Sequence, residues 1–185
     1  PDALAYSCAA GQLTYRQVES DVLRLASALS DAGLSGGGRC AIVLPTGLDC
    51  VRAVFAVQLT GAVPVLLSPS RPAGLTRQRL DRLGCGHALV EETLLSQLEE
   101  ARSRSSRTPR LLTFRELRPF ERSLPMWPRT TAGPDDPAFL QLTSGTTGEP
   151  RAVVVLHRNL MAALRADLSI FDATDEDVLI GWVPL

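Results

Sequence analysis

Residues 141–155 read QLTSGTTGEPRAVVV. Positions 143–148 are all small or hydroxyl-bearing, and they sit between two apolar runs, AFLQL and AVVVL. The run offers no large side chain to a core, whereas β-branched residues and leucine in the flanks favour strands. The reading is strand, loop, strand. Glycines and small hydroxyls at a strand end let the backbone approach an anion closely, and the Thr143, Ser144, Thr146 and Thr147 hydroxyls can join the N–H groups around phosphate oxygens. Arg151 adds a fixed positive charge able to grip phosphate through two donors. A P-loop of the GxxxxGK(S/T) type is excluded, because it needs a lysine and a helix directly after the loop. On these residues alone two alternatives stand: a phosphate cradle, or a Gly/Thr hairpin turn that holds no ligand.

Working outward, strands and helices alternate along the chain. ALAY and GQL, around SCAA, suggest a short hairpin. Thr14 with Gln17 forms a capping box ahead of a helix whose Val18, Val22, Leu25, Ala26 and Leu29 recur at helical spacing, and Gly33 closes it. CAIVLP (40–45) predicts a buried strand, 48–60 a helix closed by Gly61, and VPVLL (63–67) the next strand. TRQRLDRLG predicts a short helix, HALV (87–90) a strand, 93–102 a helix and RLLTF another strand. A helix over 159–169 and a last strand in VLIGWVPL complete the chain. The expected fold is α/β: layered, with a largely parallel sheet flanked by helices. Residues 118–137 carry five prolines after Arg118 and are expected to be a Pro-rich connector between sub-blocks.

The 185 residues suffice for one domain with a sizeable core, and 45% hydrophobic with 21% charged residues is an ordinary globular balance. A net charge of −1 gives no sign of a nucleic-acid-binding surface. All nineteen basic residues are arginine, so no lysine chemistry can come from this segment. No apolar stretch is long enough for a membrane span. Cys8, Cys40, Cys50 and Cys85 are spaced too widely for a CxxC pair and are expected to be reduced, buried thiols, as in the cytosol. His87 and His157 are too isolated for a metal site. The sequence opens PDALAYS and ends GWVPL within an apolar run, so it is expected to be part of something longer.

TSGTTGEPRAVVVLHRNL resembles the phosphate-loop signature of the adenylate-forming (AMP-binding) superfamily, which includes acyl-CoA synthetases, 4-coumarate–CoA ligases, firefly-type luciferases and nonribosomal adenylation domains. The usual form is TSG(S/T)TGxPKG, matched here over 143–150. LTYRQVESDVLRLASAL, CAIVLPTGLDCVRAVFAVQLTGAVPVLLSP and DEDVLIGWVPL also look like family segments, and GLTRQRLDRLGCGHALV resembles the ligase and luciferase branch. The resemblance implies that residues 1–185 are the N-terminal part of an AMP-binding domain, inactive by itself. It implies ATP and Mg2+, a carboxylic acid substrate, and transfer of the acyl group to CoA, or alternatively to a carrier-protein pantetheine. A luciferase-like relative and a non-catalytic scaffold are further alternatives. A cytoplasmic setting follows, with a peroxisomal one open.

Carried over residue by residue, Thr143, Ser144, Gly145, Thr146, Thr147, Gly148 and Arg151 would bind the ATP phosphates. Two departures stand out: Arg151 replaces the family's lysine, and Ala152 its following glycine. The segment supplies no catalytic residue of the family. Other candidates have plain readings: His157 as a helix-start residue, the acidic FDATDEDV as a solvated turn, Trp182 as a core residue, and Arg102, Arg104, Arg107 and Arg110 as an exposed loop.

Overall fold

The computed structural model describes residues 2–69, 72–101, 108–121, 123, 132–143 and 151–181. It opens with an antiparallel hairpin, β1 (Leu4–Cys8) and β2 (Gly11–Thr14). Helix α1 (Tyr15–Asp31) starts with the expected capping box: Gln17 N–H donates to the Thr14 hydroxyl, and Thr14 N–H donates to Gln17 Oε1 at 2.8 Å. It ends where Gly33, at φ +92°, donates to the Ser30 carbonyl while Leu34 N–H reaches back to Leu29. That paired closure needs a left-handed residue, and glycine takes it without steric cost.

Six further strands form one sheet: β3 (Arg39–Val43), β4 (Val63–Leu66), β5 (His87–Val90), β6 (Arg110–Leu112), β7 (Pro137–Leu142) and β8 (Ala152–Leu156). Their order is β6-β5-β3-β4-β7-β8, parallel except for the antiparallel β7–β8 pair. Three helices connect the parallel strands: α2 (Leu48–Leu59), α3 (Ala73–Arg82) and α4 (Glu92–Glu100).

Central strand β3 shows why its sequence is apolar throughout. Cys40 and Ile42 enter one core with the buried faces of α1 and α2, including Leu25, Leu29, Ala53 and Val57. Ala41 and Val43 enter the opposite core with Leu80, Leu94 and Leu98 from α3 and α4. A strand covered on both faces needs no polar alternation. The α/β fold with a largely parallel sheet is therefore the observed one.

Several local expectations differ from the structure. A four-residue helix, α5 (Phe114–Leu117), follows β6 behind a Thr113–Glu116 capping box, a pair too close to the RLLTF strand signal to stand out from sequence. Helix α3 starts at Ala73, ahead of the TRQRLDRLG stretch, because Pro72 can precede a first turn whose N–H groups need no helical partner. Cys8 is exposed while Cys40, Cys50 and Cys85 are buried. It ends β1, four of whose five residues are exposed, in a two-stranded ribbon outside the main sheet. Arg110 is exposed as expected but is not in a loop: it lies on β6 and donates at 2.7 Å to the Ala32 carbonyl at the end of α1. Arg102, Arg104 and Arg107 lie outside the described residues.

After β8 comes α6 (His157–Ile170), none of whose residues is buried. The last strand anticipated from 178 onward is absent over 178–181, where Val178, Leu179 and Ile180 are at least 80% exposed. A strand persists by pairing, and among the described residues none pairs with this stretch. Trp182 lies outside the described residues. Within 118–137, the described part holds a 3-10 turn at Pro119–Glu121 and a turn in which Gly133 N–H donates to Asp136 Oδ2 at 2.7 Å.

Candidate nucleotide-binding site

The strand–loop–strand reading of the glycine and hydroxyl run corresponds to β7 and β8. Their ladder pairs Leu140 with Val154, Gln141 with Val153 and Leu142 with Ala152. β7 is held in the sheet by parallel pairing with β4, Leu66 facing Gln141. Helix α2 adds a polar tie, because Gln58 Nε2 donates to the Ala138 carbonyl at 2.9 Å. The C-terminal end of β7 thus points the same way as the ends of β3, β4 and β5, the edge at which parallel sheets take ligands.

One rung beyond Leu142 and Ala152, Thr143 N–H donates to the Arg151 carbonyl at 2.9 Å. The Thr143 hydroxyl donates to the same carbonyl at 3.3 Å, and Arg151 N–H is directed at Thr143 Oγ1 at 3.4 Å. Both residues are exposed. Of the seven residues expected to bind phosphate, these two are therefore brought together at the mouth of the hairpin. Ser144, Gly145, Thr146, Thr147 and Gly148 lie outside the described residues.

The far end of the hairpin is pinned as well. His157 N–H donates to the Asp136 carbonyl at 3.0 Å and Arg158 N–H to the Pro134 carbonyl at 2.9 Å, while the Arg158 guanidinium pairs with Asp135. Asn159 Oδ1 accepts from Leu156 N–H at 3.2 Å, so HRNL is a helix start in which His157 is the first residue.

A cleft of about 540 Å³ runs along the opposite face of the hairpin, lined by Arg39, Gln78, Arg79 and Arg82 with Leu140 and Leu142 among its apolar walls. Its sequence signal is the arginine spacing in TRQRLDR, which reads equally well as the solvated face of a helix and so does not announce a cleft.

The acidic stretch folds on itself. Asp177 accepts from Thr174 N–H at 2.7 Å and from the Thr174 hydroxyl at 3.0 Å, and these bonds hold its carboxyl below the usual range. Among the described residues no group of three His, Cys, Asp or Glu is placed to hold a metal ion. Burial pushes the Cys40 thiol up to about 12 and the Cys85 thiol up to about 11, so both are protonated and inert at neutral pH. No helix among the described residues is long and apolar enough to cross a membrane.

A family profile described as AMP-binding enzyme matches residues 1–185. The chain belongs to the AMP-binding enzyme family. Among curated relatives it is 30% identical over 203 residues to nonribosomal peptide synthetase GRA1 of Gibberella zeae, covering 99% of this chain and 2% of that protein. It is 34% identical over 164 residues to tenellin synthetase of Beauveria bassiana, covering 85% of this chain and 4% of that one. Among solved structures, o-succinylbenzoate CoA synthetase (MenE) of Bacillus subtilis aligns with a TM-score of 0.85 at 22% identity, over 100% of this chain and 47% of that one. The nonribosomal peptide synthetase FmoA3 aligns with a TM-score of 0.79 at 26% identity, over 96% of this chain and 19% of its own. This member of the family spans no more than 18% of the length of the first curated relatives it matches. Its mixed α/β architecture is that of the N-terminal subdomains of adenylate-forming enzymes.

Proposed function

We propose that this chain is the N-terminal, phosphate-binding part of an AMP-binding domain that activates a carboxylate with ATP and delivers the acyl group to a carrier-protein pantetheine. The observation that carries the reading is the family signature standing between β7 and β8, with Thr143 and Arg151 hydrogen-bonded across its base. A carboxylate oxygen attacks the α-phosphorus of ATP, the bond to the β-phosphate oxygen breaks, and pyrophosphate leaves with the bonding electrons. A thiolate then attacks the acyl carbonyl and displaces AMP. Negative charge grows on the departing pyrophosphate, so preorganised donors and fixed positive charge lower the barrier. Ser144, Thr146 and Thr147 would donate hydroxyls there, Gly145 and Gly148 would let the backbone approach, and Arg151 would supply the charge that lysine usually supplies. Magnesium, bound to the nucleotide, would share that charge.

The choice of acceptor rests on the relatives. Beside the nonribosomal peptide synthetase GRA1, the leading sequence matches include the plipastatin and surfactin synthases of Bacillus subtilis. The CoA acceptor suggested by GLTRQRLDRLGCGHALV is therefore the second reading. The similarity to MenE, at 22% identity, supports the fold and leaves the acceptor open.

The test is acid-dependent ATP–pyrophosphate exchange by the full-length protein over a panel of amino and other carboxylic acids. Exchange with one acid, lost about a hundredfold in Arg151→Ala, is the expected result. Acylation of a pantetheinylated carrier protein in preference to CoA would then fix the acceptor. A folded protein that binds ATP but exchanges with no acid would point to a scaffold.

A further inference from the structure

At a hydrogen-bonded position of a regular antiparallel pair the facing residues exchange two main-chain hydrogen bonds. At the mouth of the β7–β8 hairpin only half of that exchange is main chain to main chain: Thr143 N–H to the Arg151 carbonyl, at 2.9 Å. The other half uses the threonine side chain, since Arg151 N–H is directed at Thr143 Oγ1 at 3.4 Å. The hydroxyl proton has its own acceptor in the Arg151 carbonyl, at 3.3 Å. Both side-chain contacts are long, so each is weaker than the main-chain bond. All three nevertheless fall on one pair of residues.

A threonine hydroxyl carries one proton and two lone pairs. ATP's ionised phosphate oxygens only accept. A proton spent on the Arg151 carbonyl is not available to a phosphate, so the two roles open to Thr143 exclude each other at any instant. Cross-strand pairing also places Thr143 and Arg151 on one face of the hairpin, shared with Gln141 and Val153. The threonine thus fixes the backbone from which the arginine side chain departs. A guanidinium binds through a planar fork of donors, which makes it sensitive to where its stem begins.

We propose that Thr143 is a positioning residue: its hydroxyl holds the Arg151 main chain at the mouth of the hairpin and sets the origin of the Arg151 side chain, instead of donating to nucleotide phosphate. The inference rests on the adenylating function proposed above.

Thr143→Val keeps the shape and the β-branch but removes the hydroxyl, and Thr143→Ser restores it. In the full-length protein two readouts separate the roles: hydrogen exchange of the Arg151 amide without nucleotide, and the split between KM for MgATP and kcat in acid-dependent pyrophosphate exchange. The valine variant is expected to speed Arg151 amide exchange about fivefold, the effect of one weak hydrogen bond, and to lower kcat by a similar factor with KM nearly unchanged. Serine is expected to restore both. Unchanged amide protection in valine, an unchanged kcat, or a kcat reduced about a hundredfold would each overturn the proposal, the last by marking the hydroxyl as a phosphate donor. A parent protein that supports no exchange with any acid would instead defeat the functional reading. The amide measurement would then decide the hydroxyl's role alone, with protection lost in valine and regained in serine supporting it and unchanged protection refuting it.

Discussion

The Gln58 side-chain amide donates to the main-chain carbonyl of Ala138 at 2.9 Å, and Ala138 is fully buried. Eighty residues of sequence separate the two, so this one bond joins helix α2 to the strand that leads into the glycine and hydroxyl run. Gln58→Leu fills a similar volume but removes the donor from a buried acceptor. It is expected to lower stability by about 1–3 kcal/mol, read from chemical denaturation as a lower midpoint at unchanged slope.

The start of α1 offers a test of local capping. Thr14→Ala removes the hydroxyl that accepts from Gln17 N–H, and is expected to cost about 1 kcal/mol. Adding Gln17→Leu should cost less than the sum of the two separate changes, because loss of either bond frays the turn that presents the other. Strict additivity in the double-mutant cycle would contradict this coupling.

Two glycines should respond to alanine with opposite signs. Gly61 has φ +76°, and a Cβ there would lie 3.3 Å from the Gly36 Cα, so Gly61→Ala is expected to destabilise by about 1–2 kcal/mol. Gly74 lies in helix α3 with nothing within 4 Å of an added Cβ, so Gly74→Ala is expected to stabilise by about 0.4–1 kcal/mol. Melting temperatures of the two variants decide both at once.

The thiols give a pH prediction whose sign follows from burial. Cys40 and Cys85 have folded values raised from 9.0 to about 12 and about 11, so above pH 9 the unfolded chain loses protons that the folded chain keeps. Their contribution is fully present below pH 9 and is lost as pH rises through 11 and 12. The loss is at most about 1.4 kcal/mol per pH unit for each thiol. Cys40→Ala with Cys85→Ala should flatten the alkaline limb of stability against pH, and an unchanged limb would count against the cause given. At neutral pH a thiol reagent should modify exposed Cys8 at once and the three buried cysteines only on unfolding.

Much of the fold was legible because local chemistry and tertiary demand agree. CAIV is apolar at every position because β3 is covered on both faces, and Gly33 and Gly61 stop helices where the backbone turns left-handed. The departures occur where local signals were ambiguous or short. Cys8 looks like any small apolar residue, and its exposure is set by the position of its hairpin outside the main sheet. VLIG reads as a strand by composition, yet pairing is a property of neighbours and not of the segment. At the candidate site, Thr143 and Arg151 were legible as chemistry through the signature. The bond between them was not, since the motif describes residue types and says nothing of which atom the Thr143 proton meets.

β8 is the outermost strand of its sheet, and its AVVVL carries no charge and no proline. Val153 and Val154 are each nearly half exposed. Among the described residues no strand pairs with its outer side, so the outward N–H and C=O groups of this edge lie beside exposed β-branched side chains. Such a rim is a template for the same rim on another molecule. The 185-residue polypeptide handled by itself is therefore expected to grow into larger species as its concentration rises. Solubility, before activity, would govern which form of the protein can be assayed.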